Sequence, residues 1–226
     1  MKQPSEFQKY FDHTLLKPAA SLEEILTLCR DAAEYDFAAV CVNGCHVKFA
    51  ADKLKDTSVK VSAVTGFPLG AMSTEAKAFE TENAIKNGAA EIDTVINIGA
   101  LKDGRYDYIR RELNTLSDLC HQNQAILKVI LETGLLTESE IQTACILAEQ
   151  SGADFIKTST GFNGPGATAE AVRLMKKSTG AAIKIKASGG IRTLKDALTM
   201  LEAGADRLGC SASVAIIKEY LQENEK

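Results

Sequence analysis

The feature that most constrains this chain is a joint that occurs three times, in which a helical pattern ends in Gly-Ala and a strand follows. It is found as Asn87-Gly88-Ala89-Ala90, Ser151-Gly152-Ala153-Asp154 and Ala203-Gly204-Ala205-Asp206. Glycine suits these places because helices commonly end on a residue with left-handed backbone. Strands that repeatedly follow helices predict βαβ units, in which the strands are parallel and the crossovers are right-handed.

Apolar runs and helical patterns alternate over the whole chain. The apolar runs predict eight strands, near residues 10–15, 37–42, 60–65, 91–98, 126–131, 154–158, 182–187 and 207–209. The helical patterns lie near residues 22–34, 45–55, 74–87, 106–123, 138–151, 169–178, 194–203 and 212–222. Capping spacing supports the helices that follow Ser21, Thr137 and Thr193. Eight such units predict an α/β chain folded as a (β/α)8 TIM barrel, one domain over residues 1–226. A doubly wound open sheet is the alternative.

Charge and composition exclude several kinds of partner. The chain has 226 residues, with Lys+Arg 26 against Asp+Glu 30 and a net charge of -4. No strongly basic segment is present, so nucleic acid is not an expected partner. No apolar run approaches the roughly 20 residues that span a bilayer, and the first residues lack the apolar core of a signal peptide. We therefore expect no membrane partner and a cytoplasmic protein. The six cysteines form no CxxC pair, which predicts free thiols.

Lysines and one aspartate are expected inside the barrel, near the C-terminal strand ends where such barrels carry their chemistry. Side-chain alternation along the strands turns Asp93, Lys128, Lys157, Lys184 and Lys186 inward. Two of the strands end in lysine followed by small residues and glycine, at Lys157 and Lys186. Lys184 lies one step deeper than Lys186, and we expect it to form an internal ion pair.

A pair of amines on neighbouring strands suggests a Schiff-base site. A free lysine has a pKa of about 10.4 and is almost fully protonated at neutral pH. Neighbouring strands lie roughly 4.8 Å apart, and a second ammonium at about 5 Å costs roughly 3 kcal/mol at an effective dielectric of ~20. Lys186 is therefore expected to lower the pKa of Lys157 by about two. The alternative is that each lysine pairs with a carboxylate or reaches solvent, and Asp93 is equally a structural partner or a proton carrier.

Glycine-rich strand ends predict a phosphate site. Ser188-Gly189-Gly190 and Gly209-Cys210-Ser211 follow the seventh and eighth strands, where backbone amides and helix N-termini of barrels bind phosphate. The loop at residues 161–168 resembles a P-loop but lacks its lysine, which argues against nucleotide triphosphate binding. The three histidines are dispersed, so no metal is expected. Cys41 is a small core residue or a nucleophile, and Asp12 and Lys17 form an ion pair or touch substrate.

Six motifs together resemble the deoxyribose-phosphate aldolase family, class I aldolases with the (β/α)8 fold, over essentially the full chain. The motifs are Asp12-His13-Thr14-Leu15-Leu16-Lys17, Val64-Thr65-Gly66-Phe67-Pro68-Leu69-Gly70, Glu91-Ile92-Asp93, Leu127-Lys128-Val129-Ile130-Leu131-Glu132-Thr133, Phe155-Ile156-Lys157-Thr158-Ser159-Thr160-Gly161 and Lys186-Ala187-Ser188-Gly189-Gly190-Ile191-Arg192. The resemblance implies that Lys157 forms the Schiff base, that Lys186 tunes it and that Asp93 relays protons. It also implies substrate contacts at Cys41, Thr158, Gly189, Gly190, Gly209 and Ser211.

The activity that the resemblance implies is reversible cleavage of 2-deoxy-D-ribose 5-phosphate into D-glyceraldehyde 3-phosphate and acetaldehyde, in deoxyribonucleotide catabolism. It implies no cofactor, a small phosphosugar as the partner, and a homodimer. Two positions depart from the family pattern: Phe162 stands where some members carry lysine, and the chain ends at Glu225-Lys226 without the tail tyrosine of some members. Tyr220 is expected in the last helix. Another lysine-dependent aldolase or transaldolase, a non-covalent phosphosugar isomerase, and an inactive phosphate-binding barrel are the alternatives.

Overall fold

Eight parallel strands close into a barrel in chain order, and the last strand pairs with the first. The computed structural model describes residues 4–224. The strands are β1 Phe11–Leu15, β2 Ala39–Val42, β3 Lys60–Thr65, β4 Glu91–Val95, β5 Ile126–Ile130, β6 Phe155–Lys157, β7 Lys184–Ser188 and β8 Arg207–Cys210. The predicted (β/α)8 fold is confirmed, and closure of the sheet excludes the doubly wound alternative.

Helices follow the strands and cover the outside of the barrel. They are α1 Leu22–Glu34, α2 Val47–Leu54, α3 Thr74–Lys86, α4 Ile98–Lys102, α5 Tyr106–Gln122, α6 Glu138–Gln150, α7 Ala169–Lys177, α8 Leu194–Glu202 and α9 Ser213–Asn224. Short 3₁₀ helices cover Pro4–Tyr10, Gly44–His46 and Thr133–Leu135. Tyr220 lies in α9, as predicted, and its ring stacks on Phe7 with the ring centroids 4.1 Å apart.

The predicted start and stop signals of the helices are confirmed. Ser21, Thr137 and Thr193 each accept a hydrogen bond at their helix N-terminus and complete a capping box. Such a cap satisfies backbone donors that have no partner within the helix. Gly88 and Gly204 have φ of 104° and 110°, the positive values expected at the helix–strand joints.

The structure differs from the sequence prediction after β4. The predicted strand continued to residue 98, but β4 ends at Val95 and α4 begins at Ile98. Asn97 is the reason, because its side-chain Oδ1 accepts a hydrogen bond from the backbone N–H of Ala100 at 2.9 Å and caps the new helix. The isoleucines on either side of Asn97 concealed this boundary.

The core divides into a large outer layer and a small inner cluster. Most buried apolar residues lie between the strands and the helices. Leu16, Cys41 and Val64 form a separate cluster with Phe67 packed against it. Elsewhere the barrel axis is occupied by buried charged groups instead of the layered aliphatic side chains common in this fold.

Two further sequence expectations concern the whole chain. All six cysteines are free, and Cys45 alone of them is exposed. Among residues 4–224, no helix is long and apolar enough to cross a bilayer. The expected absence of a signal-peptide core rests in part on residues 1–3, and the expected lack of a tail contact rests on Glu225 and Lys226. Both sets lie outside the described residues.

Candidate active site

One carboxylate in the middle of the barrel contacts three lysines. Asp93 Oδ2 accepts hydrogen bonds from Lys157 Nζ and Lys186 Nζ, each at 2.7 Å. Its other oxygen, Oδ1, accepts from Lys128 Nζ at 2.8 Å and from Ser62 Oγ at 3.0 Å. All five side chains are buried. The structure therefore brings together the three residues that the sequence proposed as the catalytic centre.

Strand register places these groups side by side in two pairs. Lys157 on β6 pairs directly with Lys186 on β7, as the sequence analysis expected. On the other side, Asp93 on β4 pairs with Lys128 on β5. Paired residues of adjacent parallel strands point to the same face of a sheet. The barrel closure turns that face inward, so Asp93 meets amines from three strands.

A second carboxylate, Asp12 on β1, extends the network. It accepts a hydrogen bond from Lys186 Nζ and another, at 2.5 Å, from Arg207 Nη1. Glu91 lies below Asp93 on β4, with its Oε2 2.5 Å from Lys128 Nζ. The connected cluster thus contains three carboxylates and four cationic side chains, which satisfies the rule that buried charges need partners.

The network fixes the charge state of most of its members. Burial opposes ionisation of Asp93, but the ammonium groups of Lys128, Lys157 and Lys186 outweigh it and hold its pKa well below the usual range. Burial likewise opposes protonation of Lys186, but Asp12 and Asp93 raise its pKa above the ordinary value. The pKa of Lys128 is also raised, by Asp93 and Glu91 against burial. In the free protein Asp93 is therefore an anion, and Lys128 and Lys186 are cations.

Sequence reasoning missed part of this cluster. Asp12 was left undecided, Glu91 was named only within a motif, and Arg207 was not considered. The signal was present, because residues two apart on a strand share a face. Glu91 is two residues from Asp93 on β4, and Arg207 is two residues from Gly209 on β8. Alternation alone could have turned both side chains inward.

A cavity of about 260 Å³ opens at the C-terminal end of the barrel, above the buried charges. Of the three lysines around Asp93, Lys157 alone lines it, and Lys128 and Lys186 lie beneath with no exposed surface. The cavity is lined by Thr14, Leu15, Leu16, Lys17, Lys157, Thr160, Phe162, Ser188, Gly189, Gly190, Ile191, Arg192, Gly209, Cys210 and Ser211. A small molecule entering here can thus reach the amine of Lys157 and no other amine of the cluster.

The predicted phosphate residues all line this cavity. Gly189 and Gly190 follow β7 with φ of 85° and 79°. Gly209 lies near the end of β8 and Ser211 lies two residues before α9, and both line the cavity beside these glycines. The structure adds two exposed cations to this end, Lys17, which the sequence left undecided, and Arg192, which it placed only within a motif.

Cys41 and Thr158 take different positions. Cys41 Sγ lies 4.0 Å from Asp93 Oδ2, within the apolar cluster of Leu16 and Val64. Burial raises the pKa of its thiol, which suits a wall rather than a nucleophile. Thr158 is buried, and its Oγ1 donates to the carbonyl oxygen of Ser188 at 3.2 Å. That hydroxyl holds β6 to β7, and a substrate contact for Thr158 stays a prediction.

The expectation that Lys184 forms an internal ion pair is wrong. Lys184 is the first residue of β7, so its inward position is at the N-terminal mouth of the barrel, where it is exposed. Its Nζ lies 5.6 Å from the centroid of the Phe155 ring. The cavity at this mouth is larger, about 610 Å³, but Lys157 does not line it. The volume of a cavity therefore does not identify the reactive end of the barrel.

Metal ligands are not grouped in the part of the chain that the structure describes. No cluster of three or more His, Cys, Asp and Glu side chains suited to a metal ion occurs within residues 4–224. The acidic groups of the barrel are instead directed at ammonium and guanidinium groups. The chemistry that the cavity offers is therefore that of an amine beside fixed charges.

The barrel is closed and has one lysine of the cluster that a small molecule can reach. A carboxylate holds that lysine next to a second lysine that stays protonated. These features define the class of lysine-bearing barrel enzymes. Comparison with known proteins gives the family. Residues 7–219 match the DeoC/LacD family of aldolases, and the chain belongs to this family.

Individual relatives agree with the family match. The deoxyribose-phosphate aldolase of Halalkalibacterium halodurans is 56% identical over 207 residues, which cover 91% of this chain and 92% of that protein. That of Thermococcus gammatolerans is 53% identical over 215 residues, covering 94% and 96%. The solved tetrameric deoxyribose phosphate aldolase of Aeropyrum pernix superposes with a TM-score of 0.90 at 29% identity, covering 98% of this chain and 93% of that one. The family resemblance of the motifs is thereby confirmed.

Proposed function

We propose that this chain is a class I aldolase that reversibly cleaves 2-deoxy-D-ribose 5-phosphate into D-glyceraldehyde 3-phosphate and acetaldehyde, in deoxyribonucleotide catabolism. The single barrel is its catalytic domain. The observation that carries the proposal is that Lys157, of the three lysines bound to Asp93, is the one that lines the cavity. The curated relatives described above carry the same activity in their names.

The first step is imine formation at Lys157. After its ammonium group has given a proton to water, the amine of Lys157 adds to the aldehyde carbon of the open-chain sugar. The carbinolamine then takes up a proton and loses water, which gives an iminium ion. The positive charge then lies on the nitrogen, which in the free protein is 2.7 Å from Asp93 Oδ2. A fixed anion aimed at a developing cation in a buried site lowers the barrier without reorganising solvent.

Cleavage follows from the iminium ion. The C3 hydroxyl loses its proton, the C2–C3 bond breaks, and its electron pair moves toward nitrogen to give an enamine. D-glyceraldehyde 3-phosphate leaves, C2 of the enamine gains a proton, and water releases acetaldehyde and the free amine. Asp93 Oδ2 accepts hydrogen bonds from both Lys157 and Lys186, and we assign the proton relay to Asp93 and Lys186 together with water.

The phosphate end of the substrate lies against Gly189, Gly190, Gly209 and Ser211. Backbone N–H groups near a helix N-terminus carry partial positive charge and favour a dianion. Lys17 and Arg192 line the same end and supply full positive charges. Cys41 is buried with its Sγ 4.0 Å from Asp93 Oδ2, and we assign it to the wall of the substrate site below the cavity, near the nitrogen.

We further propose a homodimer that acts in the cytoplasm. The Aeropyrum pernix relative is a tetramer, which supports self-association of the family. Six free thiols agree with a reducing compartment. Light scattering on the protein as it elutes from a size-exclusion column measures the mass of the assembly. A monomer at micromolar concentration would refute the homodimer.

Borohydride trapping tests the proposed function. With acetaldehyde or substrate, reduction should fix one covalent adduct, and peptide mass mapping should find it on Lys157. Lys157→Leu should lose the adduct and the aldolase activity. Lys184→Leu is the matched control, since this exposed lysine lies at the other mouth of the barrel, and it should retain both.

The same experiment separates the alternatives. A non-covalent isomerase forms no imine, so an absent adduct with intact turnover in Lys157→Leu would refute the Schiff-base proposal. A transaldolase would also be trapped at lysine, but it would prefer ketose donors over 2-deoxy-D-ribose 5-phosphate. A substrate panel therefore completes the test.

A further inference from the structure

Glu132, two residues after β5, has an unusual backbone and an unusual set of partners. It is 1% exposed, and its φ of 59° and ψ of 57° place it in the left-handed region. A side chain other than glycine adopts this conformation at a cost, and such residues persist where the surroundings hold them. The imine chemistry above does not use Glu132, so its position requires another explanation.

The carboxylate of Glu132 fastens the start of the loop after β6. It accepts hydrogen bonds from Thr160 N at 3.2 Å and 3.3 Å, one to each oxygen, and another from Thr160 Oγ1. The hydroxyl of Thr160 in turn accepts the backbone N–H of Phe162 at 3.1 Å. One buried carboxylate therefore holds Thr160 directly and Phe162 through the Thr160 hydroxyl.

The same carboxylate links this loop to the loop after β3. Asn163 Nδ2 lies 3.4 Å from Glu132 Oε2 and donates to the carbonyl oxygen of Pro68 at 2.8 Å. The rings of Phe67 and Phe162 meet edge to face, with centroids 5.2 Å apart. Three loops at the C-terminal mouth of the barrel thus meet at Glu132.

The far end of the fastened loop packs against the wall of the cavity where the phosphate is predicted to bind. Ala167 N donates to the carbonyl oxygens of Ser188 and Gly189, at 3.1 Å and 3.0 Å. A Cβ added at Gly166 would lie 2.1 Å from Gly189 O, so the two backbones are in direct contact. Thr160 and Phe162 line the cavity together with Gly189 and Gly190. A displacement of this loop would therefore move the phosphate end of the cavity, while Lys157 stays held by Asp93 inside the barrel.

We propose that Glu132 is a positioning residue that sets the specificity for a phosphorylated substrate, by clamping residues 160–167 against Gly189 and against the loop after β3. The proposal rests on the proposed aldolase function for its substrate. In chemical terms, the loop that Glu132 holds in place lets the enzyme discriminate between an aldehyde with a terminal phosphate and the same aldehyde without it. Glu132 takes no part in forming or hydrolysing the imine.

The test compares Glu132→Ala, Glu132→Gln and Asn163→Ala on 2-deoxy-D-ribose 5-phosphate and on 2-deoxy-D-ribose. In Glu132→Ala the KM for the phosphorylated substrate should rise about tenfold or more, because the loop that shapes its site is no longer fixed. The unphosphorylated sugar should change little, so the ratio of the two kcat/KM values should fall. Glu132→Gln keeps one acceptor oxygen and should be intermediate, as should Asn163→Ala, which releases only the loop after β3.

Glu149→Gln is the matched control. Glu149 also accepts a backbone N–H, that of Gly180 at 2.7 Å, but on the loop between α7 and β7 at the other end of the barrel. It should leave both substrates unaffected. Equal losses on the two substrates in Glu132→Ala, or no loss on either, would overturn the positioning role.

Two further measurements separate failure of the clamp from failure of the proposed function. Amide hydrogen exchange over residues 158–167 should be about tenfold faster in Glu132→Ala than in the unmodified protein, and unchanged exchange would overturn the clamp. Borohydride trapping with acetaldehyde, which carries no phosphate, should still occur at Lys157 in this variant. Absence of the adduct from the unmodified protein would refute the aldolase proposal, while the exchange experiment would still test the clamp.

Discussion

The two carboxylate oxygens of Asp93 accept hydrogen bonds from three lysines, but the three lysines differ in their other partners and therefore in their chemistry. Lys186 and Lys128 each have a second carboxylate, Asp12 and Glu91, and no exposed surface. Both are thereby kept as ammonium ions out of reach of substrate. Lys157 has Asp93 as its carboxylate partner and faces the cavity. At this scale, the choice of nucleophile follows from which amine is accessible and least engaged.

Replacing Lys186 with methionine should reduce activity without abolishing the imine. The change removes the permanent ammonium beside Asp93, so proton transfer suffers, and kcat/KM should fall roughly 10²- to 10⁴-fold. Borohydride trapping should still label Lys157, which keeps its place in the cavity. Lys184→Met on the same strand is the control and should change stability by less than about 0.5 kcal/mol. Activity of Lys186→Met within twofold of the unmodified protein would contradict the assigned role.

At the scale of elements, the helix layer is joined to the strands by a buried ion pair. Lys77 on α3 lies 2.7 Å from Glu112 on α5, and both side chains are fully buried. Lys77 Nζ also donates to the carbonyl oxygen of Val95, at the end of β4, at 2.7 Å. Burial lowers the pKa of Lys77 and raises that of Glu112, each partly offset by the partner. The pair fixes two helices against the strand that carries Asp93.

Lys77→Met should destabilise the fold by about 3–5 kcal/mol, because it leaves the Glu112 carboxyl buried without its partner. The double variant Lys77→Met, Glu112→Leu should recover most of this loss, since it removes the unpaired group as well. Urea denaturation measures both free energies of unfolding. Lys48→Met, which breaks an exposed pair with Asp52, should cost less than about 1 kcal/mol. A double variant as unstable as the single one would show that the pair contributes through packing alone.

Much of the element order was predictable because the signals are local. The capping boxes at Ser21 and Thr137 begin α1 and α6, and Gly88 and Gly204 follow the ends of α3 and α8. Each of these signals acts through contacts within a few residues. The pairing of Lys157 with Lys186 was also predictable, since alternation and strand order together fix it.

The rest of the site depends on contacts across the barrel, for which the sequence carries no local signal. Asp12 meets Arg207 over a separation of 195 residues. Lys184 was misassigned because alternation gives the side of a strand but not the depth at which solvent enters. The link from Glu132 to Asn163 depends on a left-handed backbone at a non-glycine residue, which no propensity predicts.

At the scale of the whole molecule, a histidine on β1 whose side chain packs against α1 couples stability to pH. His13 is 6% exposed, its ring centroid lies 5.4 Å from that of Phe37, and its Nε2 lies 3.7 Å from Asp31 Oδ2. Burial lowers its pKa below the ordinary value of 6.5, although Asp31 opposes the change. The unfolded chain therefore takes up the proton at a higher pH than the folded one.

The free energy of unfolding should consequently fall as pH drops below about 6.5, down to the folded-state pKa of His13. Above about 6.5 the histidine is neutral in both states and contributes no slope. His13→Leu should flatten the pH dependence between pH 7 and pH 5, measured by urea denaturation at each pH. An unchanged slope in that variant would assign the acid sensitivity to other groups.

The charged network also has a consequence for how the barrel is made. Asp12 is synthesised early, and its partners Lys186 and Arg207 follow 174 and 195 residues later. A nascent chain therefore carries an unneutralised carboxylate and an open sheet edge until β8 docks beside β1. Unpaired edges promote aggregation during synthesis. Ring closure and neutralisation of Asp12 thus coincide in one late folding event, and chains truncated before β8 should depend on chaperones to stay in solution.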